Sequence, residues 1–302
     1  MARIHLRWAA LLLLLWSVNV TPVTAGPLIV GNNGSGVLDQ PIQTIDFATG
    51  NVVNSFIPTG AAAASGHGLA VAGNTVYYTE TGNGGLGASD GIHVAPFNGG
   101  AGGADTALLP NPRPGTGISN LKIANGILFA MAGKFFASPI VYELNPINGA
   151  VISSVAIAGP ASLQSDGFVV LPNGNFLIND ADATTTYREY SSVTGALTGF
   201  SITVPGNPFA TTGVDTDGQH LFFATYSTGP NFTGFTETDL QGNLIAFSTY
   251  NGPANRTMED ISLIQPALNS VPEPSTLILL SIGTAALIGF SRRRKIGGAN
   301  PV

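Results

Sequence analysis

A four-strand pattern that returns about every 47 residues is what most limits the folds open to this chain. One kind of hairpin reads "GLAVAGNTVYYTE" (68–80), "NLKIANGILFAM" (120–131), "GFVVLPNGNFLIND" (167–180) and "GVDTDGQHLFFATY" (213–226). Each is an apolar strand, a turn of Asn-Gly or Asp-Gly type, and a strand rich in aromatic residues. Such turn residues accept the positive φ that tight hairpins demand, so each stretch is a hairpin signal. A second kind reads "IQTIDFATGNVVNSF" (42–56), "VYELNPINGAVISSV" (141–155), "YREYSSVTGALTGF" (187–200) and "FTETDLQGNLIAF" (235–247). Its turn is placed alike, but its facial pattern differs.

Units made of one hairpin of each kind begin near Gly68, Asn120, Gly167 and Gly213, and a fifth first strand, "DISLI", begins at Asp260; the spacings are 52, 47, 46 and 47. Four strands per period of this length is the signature of a β-propeller blade. The body opens with "PLIVGNN" and the 42–56 hairpin, three strands without a first partner, and "DISLI" (260–264) is a first strand without a blade. Joined, they complete one blade and remove the open sheet edges of a linear array. The expected fold is therefore all-β, a propeller of five four-stranded blades over residues 26–270, closed by strands from both ends. A sandwich of regular hairpins is the alternative. With 39 Gly and 20 Pro, about a fifth of the chain, and 44% hydrophobic residues, the composition suits short strands joined by many turns around a buried core.

Residues 1–25 read as a signal peptide: Arg3 and Arg7, an apolar run from Trp8 to Val18, then the small-residue pattern Val23-Thr24-Ala25 for signal peptidase. The run is short for a membrane span, the competing reading. The chain has no cysteine, so an exported body can use neither disulfides nor thiolate ligands or nucleophiles.

The other end reads "VPEPSTLILLSIGTAALIGFSRRRK" (271–295). Pro272 and Pro274 lack amide donors and disfavour helical geometry at Val271 and Glu273, which keeps this stretch extended and accessible. From Leu277 to Phe290 eight Leu, Ile and Phe residues each contribute about −0.3 to −0.6 kcal/mol to insertion, which Ser281, Gly283, Thr284 and Gly289 erode, so the run reads as a short, marginal transmembrane helix. Arg292, Arg293, Arg294 and Lys295 act as a membrane stop and stay cytoplasmic by the positive-inside rule, which leaves Glu273 and the body outside.

A Val-Pro-Glu-Pro stretch, an apolar segment and an Arg cluster in this order resemble a PEP-CTERM sorting signal, with Pro272, Glu273 and Pro274 as the sorting motif. The resemblance implies a Gram-negative exported protein, recognition by exosortase, and an association with exopolysaccharide. Localisation is then transient anchoring in the inner membrane with the body outside the cytoplasm, followed by the cell surface or the extracellular space. A tail, 296–302, departs from the abrupt end usual in that family.

Residues 26–270 hold 16 acids and only five bases, Arg113, Lys122, Lys134, Arg188 and Arg256, a net charge of −11 that makes nucleic acid an improbable partner. "GNGGLG" (82–87) fits a dinucleotide pattern but is followed by a turn and a strand, "ASDGIHV", with no helix to receive a pyrophosphate. "GGAGGAD" (99–105) is a single copy near a calcium nonapeptide with Asp105 one place late. No nucleophile or metalloprotease motif is present, so catalytic residues are not assigned.

Just before the first strand of each blade stand His67, Asn120, Asp166, Thr212 and Glu259 or Asp260. In a propeller such positions converge on the channel, where carboxylates, amide and imidazole could hold Ca²⁺ or another cation. The arrangement resembles the metal funnel of gluconolactonase-like propellers in general layout only; the competing reading makes these residues turn and cap formers, as it does Asp180, Asp182, Asp215 and Asp217. Two functions stay open: a non-catalytic structural or binding propeller of the extracellular matrix, needing no cofactor, and a metal-dependent hydrolase or lactonase working at the channel mouth.

Overall fold

The computed structural model describes residues 26–32, 41–57, 65–81, 89–98, 101–134, 138–159, 167–180, 185–205, 212–226, 232–253, 258 and 260–264. Every element among them is a strand. Blade 1 begins with β1 (Leu28–Asn32), β2 (Ile42–Asp46) and β3 (Val52–Phe56). Blade 2 holds β4 (Ser65–Ala72), β5 (Thr75–Thr81), β6 (Ser89–Asn98), β7 (Ala101–Gly102) and β8 (Ala107–Pro110). Blade 3 is β9 (Gly117–Ala124), β10 (Ile127–Lys134), β11 (Ile140–Leu144) and β12 (Val151–Ala156). Blade 4 is β13 (Phe168–Val170), β14 (Phe176–Asn179), β15 (Thr186–Tyr190) and β16 (Leu197–Thr203), and blade 5 is β17 (Val214–Thr216), β18 (His220–Tyr226), β19 (Phe232–Asp239) and β20 (Leu244–Thr249). The last strand, β21 (Asp260–Ile264), pairs antiparallel with β1 and supplies the innermost position of blade 1, so that sheet runs β21-β1-β2-β3.

The protein is thus an all-β propeller of five blades, closed by one strand from the far end of the chain as expected. The first strands, β21, β4, β9, β13 and β17, touch in that order and close on themselves. Burial falls from hub to rim: β9, β13 and β14 are buried almost throughout, whereas β12, β16 and β20 are largely exposed. Five apolar clusters each fill one gap between neighbouring blades, the gap between blades 5 and 1 included, where Ile29, Ile45, Phe222, Phe235, Ile261 and Leu263 pack together. Blade 2 departs from the regular pattern. Its fourth position is split between the two-residue β7 and β8, both on β6, which accounts for its 52-residue spacing.

The second-kind turns carry a shared device. Asp46, Asn145 and Ser191 each accept at their carbonyl from Gly50, Gly149 and Gly195 four residues on, and each side chain caps an amide inside the turn. These glycines have φ near +70°, and each sits against the outer strand of the preceding blade or the residues beside it: Gly50 on Thr249, Gly149 on Pro110, Gly195 on Ala156. A Cβ on Gly195 would overlap the Ala156 carbonyl oxygen, whereas Gly174, also at positive φ, has open space beside it. Gly174→Ala is therefore expected to cost only backbone strain, about 1–2 kcal/mol, and Gly195→Ala about 1–3 kcal/mol more for the forced separation of blades 3 and 4. Urea midpoints of the two variants measure this; equal losses would show that the turn does not latch the blades.

Candidate functional site

The hub is where the sequence pattern places its polar ring. Of those residues, Asp166 and Glu259 lie outside the described residues. His67 on β4, Asn120 on β9 and Asp260 at the start of β21 are all buried. Thr212 donates to the Met258 carbonyl at 2.6 Å, tying blade 5 to the segment that leads into β21. The Asn120 side-chain amide is fully buried and makes no hydrogen bond among the described residues.

Asp260 is the centre of a network. Its Oδ2 accepts from the amides of Leu69 in blade 2 (3.0 Å) and Leu121 in blade 3 (3.1 Å), and its Oδ1 from its own neighbour Ile261 (2.9 Å). The Lys122 ammonium completes the set at 2.5 Å from Oδ1 and donates also to the Ile261 carbonyl at 2.7 Å. Lys122 and Asp260 are 2% and 0% exposed at the side chain, so neither charge has water to fall back on. Burial pushes the Asp260 carboxyl up, and Lys122 and the backbone amides pull against it.

Asp215, expected as a turn former, instead belongs to the hub. Its Oδ2 accepts from the Leu263 amide at 2.8 Å, linking blade 5 to β21, and burial raises its pKa against the pull of Lys122. The reason is its place on β17, one residue into an innermost strand, which aims the side chain across the hub. Asp217 does cap its turn, accepting from the Gln219 and His220 amides, while Asp180 pairs with Arg188 at 2.8 Å; Asp182 lies outside the described residues.

A second constellation stands on blade 2. Tyr78 of β5 pairs across the strands with His93 of β6, their rings stacked 4.9 Å apart. A bulge between Thr79 and Thr81 sets Glu80 opposite the Asp90–Gly91 step, which turns Asp90 toward His93. Asp105, in the connection to β8, accepts from His93 Nδ1 and from the Tyr78 hydroxyl, both at 2.7 Å. Burial first, and then this bond to Asp105, push the Tyr78 hydroxyl pKa up, so it remains a donor. Glu80, Asp90 and His93 each present one ligand atom within 4.8 Å of the others. No sequence motif marks Lys122 or this group. Period-two alternation in "YYTE" and "DGIHV" was the available signal, since it puts Tyr78, Glu80 and His93 on one face once the two strands pair.

Residues 270–295 match the PEP-CTERM protein-sorting motif. No curated protein matches the chain. Among solved structures, a protein of unknown function from Bacteroides caccae aligns at 13% identity over 80% of this chain and 100% of its own (TM-score 0.48). Glutaminyl cyclase of Myxococcus xanthus aligns at 12% over 69% and 84% (TM-score 0.46), and the WD40 β-propeller domain of Doa1 at 13% over 66% and 57% (TM-score 0.41). The architecture rests on the strand order and ring closure themselves. The sorting segment lies outside the described residues, and among the described residues no helix is long and apolar enough to cross a membrane. The motif implies processing by exosortase, export, and a membrane-anchored step before surface display, so the chain is a five-bladed β-propeller carrying a PEP-CTERM sorting motif.

Proposed function

We propose that this is a surface protein delivered by the exosortase route, whose propeller is a non-catalytic structural or binding component of the extracellular matrix, with an exopolysaccharide as its polymer partner. The observation that carries its non-catalytic part is the Lys122–Asp260 pair. The chain's own ammonium stands against the hub carboxylate, and three backbone amides take up its remaining acceptor capacity. A hub held this way is a fastening, whereas a hydrolase working through an axial cation would need that carboxylate exposed to the metal. The body's many Ser, Thr and Asn residues suit hydrogen-bonded contact with a neutral polymer.

The test has two arms. Pro272→Ala with Pro274→Ala lets the apolar helix extend through Glu273, so the chain should stay in the membrane fraction with an intact C-terminus by mass spectrometry, while the native chain is cut and moves to the polymer fraction. An unchanged processed product overturns the sorting role. The purified protein should show no turnover of lactones or esters with or without added divalent cation; turnover above background would instead favour the metal-dependent hydrolase.

A further inference from the structure

His93 has two different neighbourhoods at its two ring nitrogens. Nδ1 faces Asp105 at 2.7 Å, and since a carboxylate can only accept, Nδ1 carries the hydrogen. In the neutral ring Nε2 then presents a lone pair, and it faces carboxylates: Asp90 at 3.3 Å and Glu80 Oε2 at 3.9 Å. Those separations are long for a charge-assisted hydrogen bond, about 2.7–2.9 Å, which the same ring does achieve on its other side. The Asp90 separation matches instead the spacing of ligands sharing a cation, since two donors about 2.0–2.2 Å from one tetrahedral ion stand about 3.3–3.6 Å apart, and Glu80 lies only a little beyond it. A ring nitrogen backed by a carboxylate, with its other nitrogen turned to acidic oxygens, is also the arrangement in which an outer carboxylate orients a ligating histidine.

We propose that Glu80, Asp90 and His93 form a binding site for a borderline divalent cation of the Zn²⁺ type, with Asp105 as a positioning residue on His93 Nδ1. One imidazole and two carboxylates suit Zn²⁺, whereas Ca²⁺ takes six to eight oxygens and no nitrogen. Tyr78 holds the imidazole plane by stacking and holds Asp105 by its hydroxyl. Glu80 and His93 are nearly buried, while the Asp90 side chain is 54% exposed and gives the ion its way in. The site is independent of the hub and of the proposed matrix role.

The full-length chain in detergent, stripped with chelator, is titrated with Zn²⁺ by calorimetry. One Zn²⁺ per chain is expected, with affinity about 10-fold or more lower in Glu80→Gln and in Asp90→Asn. Asp105→Asn, which leaves all three ligands in place, should lower it by about 10- to 100-fold. His220→Asn should leave it unchanged. X-ray absorption at the zinc edge should show one imidazole nitrogen and carboxylate oxygens at about 2.0–2.2 Å, with the imidazole contribution weakened in Asp105→Asn. Far-ultraviolet circular dichroism checks that each variant is folded, and half-exposed Asp90→Asn carries the test where Glu80→Gln is not. Failure of the folded native chain to bind Zn²⁺ stoichiometrically overturns the site, as does undiminished affinity in Asp90→Asn, a zinc shell without imidazole, or equal binding of Ca²⁺.

Discussion

An exported body that stops after Pro253 is expected to lose its cooperative thermal transition, where the body ending at Ser270 melts as one unit. The missing strand is short, but Ile261 and Leu263 are buried against blade 5, with Met258 beside them, and full burial of such side chains is worth about 1.5–3 kcal/mol each. Its loss also takes the hydrogen-bonded carboxylate away from the buried ammonium of Lys122, a further 3–5 kcal/mol or so. These terms together reach the order of 8–14 kcal/mol, comparable to the whole stability of an ordinary domain, about 5–15 kcal/mol. Differential scanning calorimetry of the two bodies decides the matter. A truncated body with the same melting temperature would mean that blade 1 is stable as three strands and that the ring does not depend on closure.

Lys122→Met should be the most damaging single substitution that leaves the backbone intact. It removes the partner of a carboxylate with no exposure to water, which costs about 3–5 kcal/mol, or roughly 6–20 °C of melting temperature for a body of this size. Adding Asp260→Asn removes the orphaned charge, so the double variant should be more stable than the sum of the single losses predicts, by about 1–3 kcal/mol. A double-mutant cycle by urea denaturation reads this coupling. Strict additivity would show that Lys122 and Asp260 do not act as a pair.

The architecture could be read from residue order because a propeller is built from local hairpins. Asn125-Gly126, both at positive φ, announces its turn within four residues, and the 46- and 47-residue spacings of blades 3 to 5 repeat one local pattern. Closure was legible too, since three strands without a first partner and one first strand without a blade leave a single solution. The functional geometry was harder. Lys122 meets Asp260 from 138 residues away, and no local pattern distinguishes that lysine from one in solvent. Glu80 comes beside Asp90 through a bulge, which shifts the two-residue alternation on which facial assignment depends. Asp215 looked like its turn-forming neighbour Asp217, and only the position of β17 at the hub separates them.

β21 also sets which way the propeller looks when it stands on a membrane. Its last residue, Ile264, pairs with Leu28, so the chain enters and leaves the body side by side on one face. Only seven residues separate Ile264 from Pro272, a tether of at most about 25 Å fully extended. While the sorting segment is in the bilayer, that tether keeps the point where the chain leaves the body within about 25 Å of the membrane-proximal Pro272. Hydrogen bonds from Leu69 to Asp260 and from Val71 to Ser262 show that β4 runs parallel to β21, so the end where β4 begins points outward. Glu80 pairs with Ser65 at that end. The Tyr78–His93 group therefore lies at the end of the body away from the point where the chain leaves it, reachable by solutes while the sorting segment is in the membrane.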